Sequence, residues 1–512
     1  MSTGHLDQLL LGIADRELAA NPGANRIVIS GLSLDSRQVG RGEAFVALGG
    51  TQAHGFAFAA GAVQRGAAVI LAETPAPGAA VPGLTKELPA TLDGVAVLWI
   101  GGLRAHLGEI AARYYGRPSE SMHVLGVTGT NGKTSCVQLL GQAFSFLGLP
   151  NASIGTLGIG MAGHLRDSAR TTPDVLSVQA LLAGFRDRGA SHVAMEVSSH
   201  ALAQERVDGV DFELAVFTNL TRDHLDYHGS MQAYGAAKAR LFAWPGLRVA
   251  VINIDDAFGA ELAQGLAPGV ELLTVSQHAD VGAAIHASAV DTSGNGLAFT
   301  LHTPWGVHAV ESGLLGHFNV DNLLLVAACL GALDVPFERI VAALGALQPV
   351  LGRMSRLGGD GGQPLVVVDY AHTPDALEQA LVALREHCAG RLLCVFGCGG
   401  ERDVGKRPLM GGIAARLADV AIVTDDNPRG EDGDAIVAQI LAGMPAPDPH
   451  LVERDRAKAI ALALARAGAG DVVLIAGKGH ETYQDGATGR HHFSDLEVAA
   501  AVLRRQVPER QA

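Results

Sequence analysis

Short apolar runs alternate along the chain with longer helical patterns rich in Ala and Leu. Strand candidates in the first hundred residues are "EAFVAL" and "AAVILAE". Later candidates are "HVLGVTG", "HVAMEV", "ELAVFTNL", "RVAVINID", "LVVVDY", "LLCVFG", "VAIVTDD" and "DVVLIAG". Strands that alternate with helices in this way predict an α/β protein with mostly parallel sheets.

The same pattern divides the 512 residues into three regions. Length alone indicates two to four domains, because single hydrophobic cores stop growing well below this size. The helical pattern "LRAHLGEIAARYYG" opens the central region, and another helical pattern ends at Gln348-Pro349. We therefore predict domains at 1–104, 105–348 and 349–512. The stretch "TPAPGAAVPG" in the first domain is predicted to be a loop.

In the last region, each apolar run ends directly in a polar or glycine-rich cluster. These clusters are Asp369-Tyr370-Ala371-His372, Gly397-Cys398-Gly399-Gly400, Asp426-Asn427-Pro428-Arg429 and Gly477-Lys478-Gly479-His480-Glu481. Ligands of open parallel sheets bind outside the carboxyl ends of the strands. One such cluster is typical of an ordinary turn, but four in succession predict a binding site on one rim.

Composition narrows the class of protein. The net charge of -14 argues against a general nucleic-acid binder, although a local basic pocket for an acidic small molecule remains open. No apolar run approaches the roughly 20 residues of a membrane helix, and the N-terminus is a poor signal peptide.

The five cysteines form no C-x-x-C pair, so we expect buried free thiols rather than zinc ligands. We expect a cytoplasmic protein, and nothing demands more than a monomer.

The stretch "GVTGTNGKTS" resembles a phosphate-binding loop, although Val127 stands where the usual pattern has glycine. It follows a strand candidate and precedes the amphipathic pattern "TSCVQLLGQAFSFLG", which is the context that such a loop requires. Lys133 is predicted to contact the outer phosphates, and the Thr134 hydroxyl to reach Mg²⁺. The alternative is a glycine-rich connection with a surface lysine. We predict ATP binding by Gly129, Thr130, Asn131, Gly132, Lys133, Thr134 and Ser135.

Two further motifs end strands, "MEVSSH" and "TNLTRDHLDYHG". Glu196 is costly to bury unless it is paired or metal-bound. Alone, Glu196 would be a structural carboxylate and His224 a core histidine. Beside a phosphate loop, we predict that Thr134, Glu196 and His224 bind Mg²⁺. The pair His224/His228 lacks the glutamate of H-E-x-x-H, which argues against zinc.

Two other nucleotide sites are excluded by missing motifs. No Asn-Lys pair is present for a guanine site, and "GCGGER" places Arg402 where a dinucleotide loop needs glycine.

The ordered motifs "TGTNGKTS", "MEVSSHAL", "TNLTRDHLDYHGSM", "GHFNVDNLLLVAA", "LGRM", "VVVDYAHTPDAL", "VFGCGGERDVGKRPLMG", "VTDDNPRGED" and "AGKGHETYQ" resemble those of Mur ligases. With "LDSRQVGRGEAFVAL", the resemblance covers nearly the whole chain. It implies a uridine-binding domain, a central ATPase and a Rossmann-like amino-acid domain. The implied activity joins meso-2,6-diaminopimelate to the D-Glu side chain of UDP-N-acetylmuramoyl-L-alanyl-D-glutamate, with ATP and Mg²⁺, through an acyl phosphate.

The resemblance also assigns site residues. It implies catalytic roles for Lys133, Glu196, His224, Asp369 and a carbamylated Lys238, with His224 as a ligand of a second Mg²⁺. For Lys238, an unmodified surface lysine on a helix would give the same pattern. It adds Asn319, Asn322 and Arg353 to the nucleotide site. For the UDP-linked dipeptide it implies Leu34, Ser36, Thr51, Gln52, Ala53, Thr171, Thr172, Ser198, Gln204 and Arg206. Thr51 stands where histidine is frequent in the family. Arg170 replaces an asparagine of some relatives and is left out of the site.

For the added amino acid, the resemblance implies Arg402, Asp426, Asn427, Pro428, Arg429, Gly477 and Glu481. The planar fork of Arg429 suits the distal carboxylate that distinguishes diaminopimelate from lysine. The alternative for Arg429 is a solvated loop arginine. His372 and Asp369 are candidates for the base that deprotonates the attacking amine. The rival functions are a folylpolyglutamate synthetase and a non-catalytic nucleotide-binding regulator.

Overall fold

The computed structural model describes residues 4–50, 53–75, 88–168, 170–292, 296–359, 362–445 and 451–506. Thr51, Gln52 and most of the predicted loop "TPAPGAAVPG" lie outside the described residues. Three mostly parallel sheets follow one another along the described chain, each covered by helices. The predicted α/β class is confirmed.

The first sheet carries five strands in its described part, of which four are parallel and the last is antiparallel. Their spatial order is Leu32–Ser33, Ala44–Ala47, Val69–Glu73, Val95–Ile100 and Thr91–Leu92. A small ribbon pairs Gly4–His5 with Val28–Ile29. The α-helices of this region are Leu6–Leu10, Asp15–Ala20, Ala59–Gln64 and Leu103–Tyr114. The two predicted strands are confirmed.

The central sheet has a parallel middle and antiparallel edges. Its parallel strands are, in spatial order, Asn151–Gly155, His192–Glu196, His123–Thr128, Leu214–Phe217, Val249–Asn253, Glu271–Ser276 and Ile285–Asp291. The edges add Gly158–Met161 and His164–Arg166 on one side, and Leu297–Thr303 and Gly306–Ser312 on the other. The four predicted central strands are confirmed. The antiparallel edges are additional, and so are the parallel strands Asn151–Gly155, Glu271–Ser276 and Ile285–Asp291.

Helices cover both faces of the central sheet. They are Lys133–Phe146, Val175–Arg186, Ser199–Ala203, Leu225–His228, Met231–Ala239, Ala257–Gln264, Phe318–Ala332 and Phe337–Ala346. Apolar side chains from alternate sheet positions enter two separate cores, for example Leu125 and Val127 on one face and Val124 on the other. Register places Glu196 beside Val127 and Phe217 beside Thr128, so three strands end level at one rim. The phosphate loop therefore leaves the sheet next to Glu196.

The last sheet is six-stranded in its described part. Its order is Ser355–Gly358, Leu365–Asp369, Val472–Ala476, Leu392–Phe396, Val420–Val423 and Leu451–Val452, with the first strand antiparallel. A ribbon of Tyr483–Gly486 and Gly489–His492 follows. The helices are Pro374–Glu386, Lys406–Leu417, Gly433–Leu441, Arg456–Arg466 and Asp495–Gln506. Because Val472–Ala476 inserts between earlier strands, the polar clusters meet in an order that differs from the chain order.

Two expectations from composition can be compared with the fold. Among the described helices, none has the length and apolar character to cross a bilayer. The cysteines are free, and four are buried, but Cys388 is partly exposed, so the expectation of uniformly buried thiols is wrong there. Cys388 follows the helix Pro374–Glu386 near the surface, where the chain turns towards the next strand.

Candidate nucleotide and ligation site

The phosphate loop has the strand–loop–helix geometry that its sequence predicts. Gly129 and Gly132 have φ values of +148° and +85°, and the helix Lys133–Phe146 starts directly after them. A Cβ at Gly129 would lie 1.8 Å from the Thr218 hydroxyl, so a side chain cannot be accommodated there. The free backbone donors and the dipole of the helix N-terminus suit a phosphate group at this position.

Two lysines converge on one carbonyl of this loop. Lys133 Nζ donates to the carbonyls of Gly129 and Thr130 at 2.8 Å each, and Lys238 Nζ donates to Gly129 O at 2.6 Å. Lys238 is buried, with its ammonium 4.4 Å from the centre of the Tyr234 ring. The alternative of a surface lysine is therefore wrong for Lys238. Desolvation lowers the pKa of both ammonium groups, most strongly that of Lys238.

Glu196 is buried and fully engaged at the end of its strand. Its Oε2 accepts from the Thr134 hydroxyl at 3.0 Å and from the Thr156 hydroxyl at 3.2 Å, while Oε1 accepts from the Thr156 amide at 2.7 Å. The structure thus joins two predicted magnesium ligands, Thr134 and Glu196. Their oxygen donors beside a phosphate loop fit Mg²⁺, which takes few protein ligands and fills its remaining positions with water and phosphate oxygens.

His224 belongs to a separate group of rings. Its ring centre lies 4.8 Å from that of His200, and Nε2 lies 3.3 Å from an oxygen of Asp223. With 47% of its side chain exposed, His224 is not a core histidine. Within the described ranges, no group of three His, Cys, Asp or Glu side chains is arranged to hold a metal ion. The role of His224 at a second magnesium ion stays a prediction.

A cavity of about 270 Å³ lies between the phosphate loop and the helix Pro374–Glu386 of the last region. Six residues predicted for the nucleotide site or for catalysis line it: Asn131, Gly132, Ser135, Asn322, Arg353 and Asp369. Thr218, Thr221 and Asp375 also line the cavity and were missed by sequence reasoning. Asp375 stands in the quoted motif "VVVDYAHTPDAL", which was the available signal.

Asn319 and Asn322 support the loop from the first turns of the helix Phe318–Ala332. The Asn322 amide donates to Asn319 Oδ1 at 2.8 Å, and its oxygen accepts from the Cys136 thiol at 3.2 Å. A Cβ at Gly132 would lie 3.0 Å from the same oxygen. Asn322 is therefore close to the loop backbone, and a larger residue at Gly132 would displace it.

Contacts from the last region complete the cavity. The Arg353 guanidinium donates to the Thr134 hydroxyl at 3.4 Å and lies 4.7 Å from the centre of the Tyr370 ring. Asp369 accepts from the Met354 amide at 2.8 Å and from the Ala371 amide at 2.9 Å. Desolvation raises the pKa of Asp369 although Arg353 and these amides act in the opposite direction. Asp369 therefore fixes the backbone that carries Arg353.

Five residues predicted for the dipeptide form a network around Glu196. The Thr172 hydroxyl donates to Glu196 O at 2.8 Å and accepts from the Ser198 amide at 3.2 Å. Arg206 donates to Thr172 O at 3.1 Å and to Gln204 Oε1, while Thr171 lies within hydrogen-bond distance of Thr156. Leu34, Ser36 and Ala53 lie apart, in the first region. Thr51 and Gln52 fall outside the described residues.

The residues predicted for the amino acid meet on the rim of the last sheet. Arg429 donates to Gly400 O at 2.7 Å, and a Cβ at Gly399 would lie 3.0 Å from Arg429 Nη1 and 3.8 Å from Arg402 Cγ. Arg429 has φ +53°, and its amide donates to Asp485 O, so the adjoining ribbon fixes its backbone. The Arg429 guanidinium and the aliphatic stem of Arg402 therefore both lie beside Gly399 on the rim.

Acidic groups stand beside these arginines. Glu481 Oε2 accepts from the Asn427 amide at 2.9 Å and from Lys478 Nζ at 3.0 Å. Gly477 has φ +117°, and a Cβ there would lie 2.9 Å from Asp426 Oδ2. The Pro428 carbonyl packs against Gly400, where a Cβ would lie 2.0 Å from it. The rim thus combines the cations Arg402, Arg429 and Lys478 with the carboxylates Asp426 and Glu481, and an amino acid likewise carries charges of both signs.

The comparisons with known proteins agree with this geometry. Family models match residues 28–115 ("Mur ligase family, catalytic domain"), 127–330 ("Mur ligase middle domain") and 352–479 ("Mur ligase, glutamate ligase domain"). A relative from Xanthomonas campestris pv. campestris (strain 8004) is 58% identical over 480 residues, covering 94% of this chain and 95% of its own length. Its name is UDP-N-acetylmuramoyl-L-alanyl-D-glutamate--2,6-diaminopimelate ligase.

Solved structures with the same fold include two enzymes. A structure with that same enzyme name is 38% identical, with a TM-score of 0.70 and coverage of 94% of this chain and 96% of its own. A Mycobacterium tuberculosis folylpolyglutamate synthase, solved with ADP and AMPPCP, shares the fold at 18% identity and a TM-score of 0.59. It covers 78% of this chain and 94% of its own.

The phosphate loop, together with the matching ligase family models, defines the class of protein as a ligase, an enzyme that joins a carboxylate to an amine. With three matching family models and a relative this similar over nearly its whole length, the chain belongs to the Mur ligase family.

Proposed function

We propose that this chain joins meso-2,6-diaminopimelate to the D-Glu γ-carboxylate of UDP-N-acetylmuramoyl-L-alanyl-D-glutamate, with ATP as the energy source. The observation that carries the proposal is the approach of Arg429 and Arg402 to Gly399 on the rim that also holds Glu481. The arginines suit the distal carboxylate of diaminopimelate, and Glu481 suits its distal ammonium. Lysine lacks that carboxylate and would leave Arg429 without its partner.

The first step activates an unreactive carboxylate. A free carboxylate is a poor electrophile, so an oxygen of the D-Glu side chain takes the γ-phosphoryl group of ATP, giving an acyl phosphate and ADP. This transfer brings like charges together and needs cations at the site. Lys133 lies within reach of the outer phosphates at the helix N-terminus. Thr134 and Glu196 would hold Mg²⁺, and His224 a second one; bound Mg²⁺ supplies positive charge to the phosphate oxygens.

The second step forms the amide. The neutral amine of diaminopimelate attacks the acyl carbon, and the phosphate leaves with its bonding electrons. The amine must first lose a proton. His372 lies exposed on the rim with its ring Nδ1 2.8 Å from Tyr370 O, and Asp369 already accepts from two amides. His372 therefore has the freer side chain of the two candidate bases.

Several features of the enzyme belong to the same proposal. The first domain binds uridine, the second ATP and the third the amino acid. Of the predicted domains 1–104, 105–348 and 349–512, the first ends inside the helix Leu103–Tyr114, which packs in the core of the first region, so we place that boundary after the helix. Lys238 is carbamylated, since desolvation favours its neutral amine and a neutral amine is the form that reacts with CO₂. The enzyme is proposed to act in the cytoplasm as a monomer, because its nucleotide substrates are cytoplasmic.

The test is phosphate release from ATP and Mg²⁺ with UDP-N-acetylmuramoyl-L-alanyl-D-glutamate in three parallel reactions. One contains meso-diaminopimelate, one L-lysine and one no amino acid. Release with diaminopimelate alone, together with the matching tripeptide product, is the expected result. Turnover with lysine would keep the ligase but remove the role of Arg429 in selection. No release in any reaction would overturn the proposal and favour a folate ligase or a non-catalytic nucleotide binder.

A further inference from the structure

Lys478 is a fully buried cation that the proposed chemistry does not use. Its side chain has no exposed surface, although lysine is among the residues least often buried. A buried ammonium is costly unless its donors are satisfied by hydrogen bonds and opposite charge. The contacts of Lys478 therefore indicate what it does.

The ammonium group joins the two strand-end clusters of the rim. It donates to Asn427 Oδ1 at 2.9 Å and to Glu481 Oε2 at 3.0 Å, and it lies 3.8 Å from Asp426 Oδ1. Its Nζ is also 5.3 Å from the centre of the Tyr483 ring. Lys478 thus connects groups that follow two different strands of the sheet with the ribbon beyond them.

The same bonds orient Asn427. Its Oδ1 accepts from Lys478 and from the Asp485 amide at 2.9 Å each, so its nitrogen must point the other way, towards Glu481 Oε2 at 2.9 Å. Asn427 is buried with both ends of its amide engaged. In this arrangement the side-chain amide of Asn427 is held in one orientation.

The two carboxylate oxygens of Glu481 consequently have different hydrogen-bond partners. Oε2 carries the bonds from Lys478 and Asn427, whereas the contact to Oε1 within the described residues is a longer one, 3.4 Å from the Tyr483 hydroxyl. Burial raises the pKa of Glu481, but Lys478 and Asn427 outweigh it and the pKa lies below its usual value. The carboxylate stays charged, with Oε1 left to accept from a ligand.

The charges of the cluster point to an ammonium ligand. Asp426 and Glu481 bring two negative charges, and Lys478 neutralises one of them. Two other buried cations nearby are already paired, Arg456 with Asp495 at 2.7 and 2.8 Å and Arg407 with Glu431 at 2.6 Å. Within the cluster of Asp426, Glu481 and Lys478, one negative charge therefore remains for a ligand to balance.

We infer that Lys478 is a positioning residue that fixes Asn427 and one oxygen of Glu481, so that the other oxygen binds the distal ammonium of the added amino acid. This inference rests on the proposed function. Selectivity for diaminopimelate then depends on two separate groups of residues. Arg429 and Arg402 recognise the distal carboxylate, and the Lys478 cluster recognises the ammonium beside it.

The experiment compares the full-length enzyme with Lys478→Met, Lys478→Arg and the control Lys458→Met. Lys458 is 73% exposed and pairs with Asp455 at the start of its own helix, Arg456–Arg466, so its loss removes a lysine charge without touching the rim. Steady-state phosphate release gives kcat and a KM for each of the three substrates, and thermal unfolding reports the folding of each variant. A merely structural role would not select one substrate.

Lys478→Met is expected to raise the KM for diaminopimelate by about tenfold to a hundredfold, because a buried carboxylate and amide lose their partner. The KM for ATP and for the UDP-linked dipeptide should stay within about twofold of the wild-type value, because neither site contacts Lys478. Lys478→Arg keeps the positive charge and should show the same selective rise to a smaller extent.

Several outcomes would overturn the inference. A KM for diaminopimelate within about twofold of wild type in Lys478→Met would do so, as would a parallel rise in all three KM values. If Lys478→Met does not fold, Lys478→Arg decides by the same two criteria. Failure of the wild-type enzyme to use diaminopimelate would instead overturn the proposed function itself, so the two failures are distinguishable.

Discussion

Asp375 accepts a hydrogen bond from the side-chain amide of Asn131 at 3.1 Å, and this contact joins the last region of the chain to the phosphate loop. The same carboxylate oxygen lies 3.3 Å from the Thr221 hydroxyl. Asp375 stands in the first turn of the helix Pro374–Glu386 and lines the cavity. The contact therefore links the two regions beside the cavity where we propose that ATP binds.

Replacing Asp375 should weaken nucleotide binding. Asp375→Ala is expected to raise the KM for ATP by about tenfold, because the variant loses two cleft contacts and an acceptor suited to ribose hydroxyls. Glu378→Ala is the control, since Glu378 lies on the same helix and pairs with Arg416 instead. Steady-state kinetics at saturating dipeptide and amino acid measure the effect. Equal KM values for both variants would contradict the prediction.

Glu196 should be required for phosphoryl transfer. Glu196→Gln keeps the shape but removes the charge that we propose binds Mg²⁺, so kcat should fall by about a hundredfold or more. Glu213→Gln is a matched control: Glu213 precedes the strand Leu214–Phe217 at the opposite end of the sheet and pairs with His123 and Arg248. Phosphate release as a function of Mg²⁺ concentration measures both variants. Similar kcat values would exclude the metal role of Glu196.

Arg429 should determine which amino acid is used. Arg429→Ala is expected to raise the KM for diaminopimelate by about tenfold to a hundredfold, the effect of losing charge-assisted hydrogen bonds. The KM for ATP should not change, because Arg429 lies on the amino-acid rim. Arg416→Ala, which removes an exposed arginine paired with Glu378, serves as the control. An unchanged apparent affinity for diaminopimelate in Arg429→Ala would count against the assignment.

Carbamylation of Lys238 can be observed directly. Enzyme equilibrated with ¹³C-bicarbonate should show a carbamate carbon signal by NMR, since desolvation favours the neutral amine of Lys238. Lys238→Met should lack the signal and Lys458→Met should retain it. A signal that persists in Lys238→Met would place the carbamate elsewhere, and no signal in the wild type would show that Lys238 is unmodified.

His192 should make the fold sensitive to acid. Burial, with a smaller effect from His123, lowers the pKa of His192 to about 4. In the unfolded chain a histidine titrates near pH 6.5, so between pH 6.5 and 4 the unfolded state binds a proton that the folded state does not. The stability contributed by neutral His192 is therefore complete above pH 6.5 and is lost as the pH falls towards 4.

The variant His192→Phe should remove this dependence. Its ring can occupy the same place beside Phe144, whose ring centre is 4.7 Å from that of His192. The loss of unfolding free energy between pH 6.5 and 4 should shrink by about 2 kcal/mol relative to wild type. Denaturant unfolding at both pH values measures this, with the exposed His491→Gln as control. Parallel losses in all three proteins would refute it.

Much of the fold could be predicted from local sequence. The ten predicted strands form because β-branched apolar runs fit a buried parallel sheet, and the phosphate loop follows from glycines between a strand and a helix. The antiparallel edges of the central sheet escaped prediction. Their strands, such as Gly306–Ser312, are half-exposed and lack a long apolar run.

By itself, the sequence determined the α/β class, the loop with Lys133 and Thr134, and the motifs that define the family. These depend on neighbouring residues, whose spacing is visible along the chain. Only the tertiary structure decided which strand ends meet, because the insertion of Val472–Ala476 between earlier strands is set by long-range packing.

That same packing buried Lys238 against the phosphate loop, brought Asp375 to Asn131, and enclosed Lys478 between Asn427 and Glu481. These contacts join residues far apart in sequence. Burial then shifts the pKa of an ionisable group, as it does for Lys238. The sequence does not show whether a lysine is exposed or buried, but desolvation of a buried ammonium group lowers its pKa and so favours the neutral amine.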